Sequence, residues 1–436
     1  MWKPRYWAFL GLGAWLVSPV AFATNGYFAI GYGTAADGMG GAAVAYPQNS
    51  ISAAANPADL SDVGTRFDIG VGVFDPRRCA GEVGLNDGSP NGSGGTECVK
   101  SGSNTYLVPG MGVSFAYNHR WSFGVAAVGN GGMDTTYSTN FFSTTPNGGG
   151  KLGVDLVQLF IPITVAWRPV DSQSFGFSLV PAGQRFAAQG LSAFTAMSAY
   201  PDNVTNQGHD YAWGLGARIG WLGHFLDDRL SLGATYATKE YMQKFTKYRG
   251  LFADGGAFDV PANYAVGIAV KVIPNKLDAA LDVERILYAD VPSVADAGPT
   301  SILYSGATIN TTPLGASGGM GFGWQNQTVY KLGFLYHFNK KLILRAGYNY
   351  GKSPIPDSQL LFNLLAPGIV ETHYTLGATY KLGRSFMGAE SSLSFAWVYA
   401  KKKRQTATLL FENATPVTAT AEMFQNEWEL AYGLKF

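Results

Sequence analysis

Charge is scarce in this chain of 436 residues: Asp, Glu, Lys and Arg make up 14%, with 31 basic residues against 30 acidic. So thin and balanced a charge lacks the basic patch that a nucleic-acid partner requires, and no nucleic acid is expected. Long apolar runs are missing too. After residue 23 nothing approaches the ~18 consecutive apolar residues that a membrane helix needs, which argues against a helical membrane protein. Cysteine is limited to Cys79 and Cys98. They lack the close spacing and histidine partners of a metal site, so a disulfide staple formed in an oxidising compartment is expected, with no metal and no cofactor. What the chain has in quantity is glycine, 56 residues, and aromatic side chains, 27 Phe, 23 Tyr and 10 Trp. That mixture suits a membrane β-protein better than a conventional soluble core.

The first 23 residues read as a signal peptide. Lys3 and Arg5 precede an apolar run from Trp7 to Val17, and Ala21-Phe22-Ala23 is a small-x-small cleavage site. A membrane anchor is the alternative, but the run is short and Pro19 follows it. Removing Lys3 and Arg5 leaves 29 basic residues against 30 acidic.

From Arg66 onward apolar residues recur at every second position in segments of about ten, the period of strands with one face in lipid. Fourteen such segments can be read, from Phe67-Ile69-Val71-Val73 to Trp428-Leu430-Tyr432-Leu434-Phe436. Their connections alternate between short ones, such as Asn118 to Arg120 or Pro274 to Lys276, and long ones, such as Asp75 to Tyr106, Ile286 to Gln327 or Lys401 to Met423. Short periplasmic turns and long outer loops are the habit of bacterial outer-membrane barrels. A soluble all-β protein would instead expose a dozen aromatic faces to water. The expected fold is therefore all-β, a 14-stranded antiparallel transmembrane β-barrel over residues 63–436. Its belt would face outer-membrane lipid and lipopolysaccharide. Its last strand, ending in Phe436, would be addressed to the barrel-assembly machinery.

One long stretch has no strand period. Thr24 to Leu60 is rich in Gly and Ala and nearly uncharged, and residues 24–62 are expected to plug the barrel. On the strands Gly112, Gly176, Gly233, Gly333, Gly347 and others fall on the parity opposite the aromatic faces. Two readings are open. Either another backbone lies against the inner wall, or glycine eases strand bending.

The plug opens with Thr24-Asn25-Gly26-Tyr27-Phe28, continues through Gly38-Met39-Gly40-Gly41-Ala42 and ends in Asn56-Pro57-Ala58. Leu156-Val157-Gln158-Leu159-Phe160, Leu344-Arg345-Ala346-Gly347-Tyr348 and Tyr374-Thr375-Leu376-Gly377-Ala378-Thr379-Tyr380 follow in order. In these segments the chain resembles the FadL/TodX outer-membrane transporters of long-chain fatty acids and hydrocarbons. The resemblance spans the chain after residue 23. It implies a barrel closed by an N-terminal hatch, passive uptake of a hydrophobic small molecule, and a sideways exit through the wall at the third strand. Gly38, Gly40, Gly41, Asn56, Pro57 and Ala58 would be the hatch motif. The basic residues do not align with those that hold a carboxylate in fatty-acid members, which leaves acid or hydrocarbon open.

No enzyme constellation emerges, because a hydrolase needs a Ser and a His within hydrogen-bond reach and the five histidines fall at strand ends. Inward charges on neighbouring strands, such as Asp278 or Asp282 beside Lys271 and Lys331, are expected to pair. A base left over would meet a ligand carboxylate, with Lys239 and Arg345 as candidates. Two loops carry Phe186, Leu191, Phe194, Met197 and Phe245, Leu251, Phe252. They would either form an exposed groove that captures the ligand or pack together as a lid. Gly129-Asn130-Gly131-Gly132 interrupts the third strand and is the candidate lateral opening. A surface adhesin or receptor that does not transport is the competing function, and a general diffusion porin a third.

Overall fold

The computed structural model describes residues 24–84, 98–142, 150–298, 311–385, 388–411 and 415–436; the expected signal peptide, 1–23, lies outside the described residues. Fourteen antiparallel strands close into a barrel. They are β1 (Arg66–Val83), β2 (Tyr106–Ala116), β3 (Trp121–Tyr137), β4 (Leu152–Phe160, resuming at Ile163–Val170), β5 (Gln173–Gln189), β6 (Asp210–Phe225) and β7 (Leu230–Ala237, resuming at Tyr241–Met242). There follow β8 (Asn263–Ile273), β9 (Leu277–Ile286), β10 (Gln327–His337), β11 (Leu342–Gly351), β12 (Thr372–Arg384), β13 (Glu390–Phe411) and β14 (Thr415–Lys435). Strand β14 pairs with β1 from Lys435↔Arg66 to Thr418↔Val83, which closes the ring.

The alternation has the cause that the sequence suggests. Phe175, Phe177 and Leu179 on β5, or Tyr211, Trp213 and Leu215 on β6, stand exposed on the outside, where lipid would cover them. Inside the barrel lies the chain from Thr24 to Val63, almost all of it buried. It is folded as a hairpin of two-residue strands, Thr24–Asn25 with Phe28–Ala29, and short helical turns at Thr34–Asp37, Ser50–Ala54, Pro57–Asp59 and Leu60–Val63.

Close approach of another backbone accounts for many of the inward glycines, though not for all. A Cβ on Gly347 would stand 2.1 Å from the Gly40 nitrogen, one on Gly176 2.2 Å from the Pro57 carbonyl carbon, and one on Gly233 2.2 Å from the Val44 oxygen. Gly112 and Gly333 likewise face Ser50 and Met39 at 2.7 Å. Others are not pressed by the plug: Cβ atoms on Gly70, Gly214 and Gly216 would meet Ala431, Met242 and Glu240 of the wall, and one on Gly110 nothing nearer than a methyl of Ile51 at 3.8 Å.

Two expected loops are in part strand. Strand β1 runs on to Val83, carrying Cys79, which forms the disulfide with Cys98 across a Cα separation of 5.2 Å. Strands β13 and β14 pair as far as Phe411↔Thr415, through most of the expected loop from Lys401 to Met423. There the hydropathy pattern inverts rather than ends. Ala407, Leu409, Val417, Ala419 and Ala421 turn inward and are buried, while Thr406 and Thr408 face Thr420 and Thr418 across the outer surface at 3.1 and 2.9 Å. Above the lipid the solvent outside is water, so the polar face belongs there.

Gly347→Val should leave the barrel able to form but unseat the plug, an overpacking cost of about 1–3 kcal/mol. Single-channel conductance and protease access to residues 24–63 should both rise, whereas Gly110→Ala should change neither. Equal behaviour of the two variants would return the inward glycines to strand bending.

Candidate transport site

The plug is fastened to the wall by its own backbone. Asp282 on β9 accepts hydrogen bonds from the N–H groups of Ala43 and Val44 at 2.7 and 2.9 Å, and Asp68 on β1 accepts from Ser50 N–H and Oγ at 2.9 and 2.6 Å. At Gly38-Met39-Gly40-Gly41 the chain turns against β11 and β12. Gly40 donates its N–H to Thr375 Oγ1 (2.9 Å) and accepts at its carbonyl from Asn349 Nδ2 (3.1 Å). Its φ of 68° and the backbone of Tyr348, 2.8 Å from where a Cβ would stand, leave room only for glycine. Asn56 is wholly buried. Its Oδ1 caps the turn at Ala58 N–H (3.0 Å), and its Nδ2 donates to the carbonyls of Val44 (2.8 Å) and Trp221 (3.0 Å), with Pro57 first in the turn and pressed onto Gly176.

The wall is interrupted beside the plug's first hairpin. Pairing of β2 with β3 runs from Ala116↔Ser122 to Gly110↔Val128 and stops, although β3 continues to Tyr137 against β4. The next bond on that side is from Gly102 N–H to the Thr136 carbonyl. Between them, among the described residues, β2 and β3 share no ladder. At this level β3 bulges: the register with β4 slips between Gly129 and Gly131, and the buried Asn130 side chain bonds Gln158 Oε1 (2.9 Å) and the Tyr32 hydroxyl (2.7 Å). Strand β4 breaks at Ile161-Pro162 alongside. Phe28 of the plug pairs with Gly131, whose φ of 149° and missing Cβ let the Tyr27 carbonyl in. A cavity of about 30 Å3 beside Gly132 touches Thr24 and Gly26. The run Gly129 to Gly132 thus stays within a strand, while the missing ladder lies between it and β2.

Above the plug the loops close over an aromatic cluster. Tyr27 lies 5.2 Å from Tyr288, 5.6 Å from Trp324 and 6.2 Å from Phe258; Phe258 lies 4.8 Å from Phe252, and Phe252 4.7 Å from Phe186. A second row joins Phe142, Phe194, Phe362 and Phe322. Phe186, Leu191, Phe194, Phe245, Leu251 and Phe252 do come together, with Met197 packed against them. The exposed groove is corrected, however: all but Met197 are buried, and the two loops form a closed lid because apolar rings without a ligand bury one another. Tyr288, Trp324, Phe322 and Phe362 were not among the candidates. The only sequence signal for this region was the apolar run Leu360-Leu361-Phe362-Asn363-Leu364-Leu365 inside a loop.

A family model described as outer membrane protein transport protein (OMPP1/FadL/TodX) matches residues 10–422. The chain belongs to this FadL/TodX family. It is accordingly an outer-membrane protein of a transport family. Its fold is similar to that of the Pseudomonas putida toluene transporter TodX, with a TM-score of 0.68 at 20% identity over 93% of this chain and 99% of that one. A Pseudomonas aeruginosa FadL homologue gives 0.67 at 16% identity (94% and 99%), and the Ralstonia pickettii toluene transporter TbuX 0.61 at 18% (93% and 99%). No curated protein matches in sequence.

In this member of the family the charges are arranged differently from the expected cross-strand pairs. Lys331 pairs with Glu284 (2.8 Å), Asp278 accepts from the Tyr46 hydroxyl (2.5 Å), and Lys271 is exposed. At Asp282 the backbone N–H groups of Ala43 and Val44, cut off from water, take the carboxylate that Lys331 would otherwise have held, and at Asp278 the Tyr46 hydroxyl of the hatch does so. Lys239 does not face the lumen as a free base: it lies 3.6 Å from Asp259 and donates to the Asp290 carbonyl. Arg345 does face the lumen, bonding Gln48 Oε1 (2.8 Å) and Thr379 Oγ1 (2.7 Å). It lines a cavity of about 570 Å3 that runs from Lys340, Lys341 and Lys435 at the rim of short turns to Pro109, Gly110, Val128 and Gly129, where the β2–β3 ladder ends. His373, one of the five histidines, does fall at a strand end, at the start of β12, and is wholly buried there.

The end of the hatch is latched at that rim. Asp62 holds Arg168 of β4 and His224 of β6, the latter at 2.8 Å, and His224 in turn meets Ser231 Oγ at 3.0 Å. A Ser, a His and an Asp are therefore in contact after all, contrary to the expectation from strand ends. Arg168 shares the Asp, and the group joins hatch to wall. Burial pushes the Asp62 carboxyl up, but the hydrogen bond and charge of His224 and the charge of Arg168 outweigh it and hold the group below its ordinary value. A depressed carboxylate stabilises fully above its unfolded value, near pH 4, and loses that contribution as pH falls through the lower folded value. The protection of the amides of residues 58–63, measured relative to their intrinsic exchange rates, should therefore fall on acidification below about pH 4 in the native protein. Asp62→Asn should exchange faster already at neutral pH, by about 1–3 kcal/mol of local opening, with a flatter pH profile. An unchanged exchange rate in the variant would remove the latch.

Proposed function

We propose that this protein carries small uncharged hydrophobic molecules, monoaromatic hydrocarbons in preference to fatty acids, passively across the outer membrane. The hatch hairpin is the gate and the gap between β2 and β3 is the exit. The observation that carries the reading is the missing ladder between Gly110↔Val128 and Gly102–Thr136, with Tyr27 and Phe28 of the hatch set behind it. An apolar ligand that leaves sideways enters the bilayer without crossing water. To reach the gap it would trade places with the aromatic rings around Tyr27, a replacement of apolar contacts by apolar contacts that can be reversed at small cost. The preference for an uncharged ligand rests on the bases. Lys239 is engaged with Asp259, and Arg345 with Gln48 and Thr379 in the cavity below, so a carboxylate among the rings around Tyr27 would meet neither base. TodX and TbuX, whose folds this chain shares, are named as toluene transporters. We also infer that β14, ending at Phe436, is the segment read by the barrel-assembly machinery.

Uptake of radiolabelled toluene and oleate is to be compared in cells lacking the protein and in cells that regain it. Toluene uptake should rise several-fold and oleate uptake little. The reverse order would overturn the substrate class, and no effect on either would overturn transport in favour of a surface receptor. For the exit, a cysteine in 107–109 and one in 130–132, in a background without Cys79 and Cys98, should block uptake when oxidised and restore it when reduced. Uptake that persists with the bridge formed would place the exit elsewhere. Deleting residues 24–32 should make uptake faster or leaky; no change would reduce the hatch to a static filler.

A further inference from the structure

The run Lys401-Lys402-Lys403-Arg404 crosses the upper edge of the aromatic belt on β13, and its backbone there is irregular. Ala400 pairs with Gln425 and Lys403 with Met423, so Lys401 and Lys402 together stand opposite the single residue Phe424. One extra residue in a strand reverses which side chains face out. Below the bulge the odd positions Phe395, Trp397 and Tyr399 face lipid; above it the odd positions Ala407 and Leu409 are buried inside. At the reversal two successive lysines are both exposed, joined by Arg404 on the same outer face. Phe424 is in turn opposite Arg77 of β1, an exposed guanidinium. With neighbouring strands about 4.8 Å apart, four cations lie on a patch about 10 Å wide around one aromatic ring.

Two carboxylates belong to the patch, Glu422 on Lys402 (2.6 Å) and Asp75 on Arg77 (2.8 Å). Lys401 and Arg404 have no ion pair among the described residues, and Lys403 turns inward to Glu371 (2.8 Å). Directly beneath, Trp397 stacks on Tyr399 with ring centroids 6.0 Å apart and faces Trp428 across the strand pair. Such rings settle at the headgroup level of a bilayer, which places the cations where outer-leaflet headgroups begin. A single bulge thus puts positive charge just above the acyl region, and a cation there is matched by phosphate.

We propose that Arg77, Lys401, Lys402 and Arg404 form a binding site for the phosphorylated glycolipid of the outer leaflet. The sugar phosphates sit on the cations and the acyl chains lie against Phe424, Trp397 and Trp428. The site depends on the outer-membrane location of the protein, not on what the channel carries.

The test is native mass spectrometry of the detergent-solubilised protein titrated with bisphosphorylated lipid A, with monophosphorylated lipid A and with inorganic pyrophosphate. The native protein should hold the bisphosphorylated lipid most tightly, and the variant Lys401→Gln/Lys402→Gln/Arg404→Gln should lose about tenfold in that affinity, with Glu422→Gln gaining. Heat-modifiable migration in gels checks that each variant is folded, and toluene uptake should be unchanged in the triple variant. Equal affinity of native and triple variant for bisphosphorylated lipid A, or no difference between the two lipids, would overturn the site. Pyrophosphate binding as tight as the lipid would overturn the glycolipid as its occupant.

Discussion

A ring of fourteen strands is wider than its own inward side chains can fill, so the fold depends on how a second piece of backbone meets the inside of the wall. Two conditions must hold at each contact. The hatch has little regular structure, so its N–H and C=O groups need partners from the wall, and its chain must come close enough to reach them. Asp282, Asp68, Thr375 and Asn349 meet the first condition, and Gly176, Gly233 and Gly347 the second. The inward carboxylates and the inward glycines are therefore one device, and neither is explained by strand chemistry alone.

This device also explains which parts of the protein were legible beforehand. Strand existence and number followed from alternation because lipid outside and hatch inside impose opposite chemistry on successive residues. The motif at Asn56-Pro57-Ala58 marked the hatch end, but its role as a bracket between Val44 and Trp221 needs the fold. Partner choice failed in the same place: opposite charges on adjacent strands suggested Asp282 with Lys331, and nothing in the strand pattern announces that Ala43 and Val44 bring unpaired N–H groups to that carboxylate. Boundaries failed above the lipid. On β13 the bulge at Lys401-Lys402 reverses the parity, so a strand with Ala407 and Leu409 inside reads as an irregular loop to anyone following the outer face.

The apolar loops teach a related lesson. Phe186 and Phe252, far apart in sequence, were recognisable as residues that must leave water, but sequence does not say whether a ligand or another ring receives them. Without a ligand they receive each other, together with Tyr27 of the hatch and with Tyr288 and Trp324 from a loop whose residues carry no periodic signal. A cluster built this way carries no charge and is held mainly by ring contacts, the Tyr288 hydroxyl adding its hydrogen bonds to Asn25 and Tyr27, so few polar groups are left unsatisfied when it separates.

That property bears on how the hatch could be both firmly seated and able to yield. Its fastenings are not uniform along the chain. From Gly38 to Asp62 every short turn is tied by buried hydrogen bonds or charge, ending in the Arg168–Asp62–His224 group. From Thr24 to Phe28 the ties are few: Gln425 at Thr24, the Tyr288 hydroxyl at Asn25 and Tyr27, and one ladder pair at Gly131, with rings supplying the rest. Displacing the first segment costs mainly apolar contacts, which an apolar ligand replaces, whereas displacing the second strands buried N–H groups and carboxylates that nothing apolar can satisfy. Motion of the hatch should therefore be confined to its first few residues, the part that lies behind the interrupted ladder of β2 and β3.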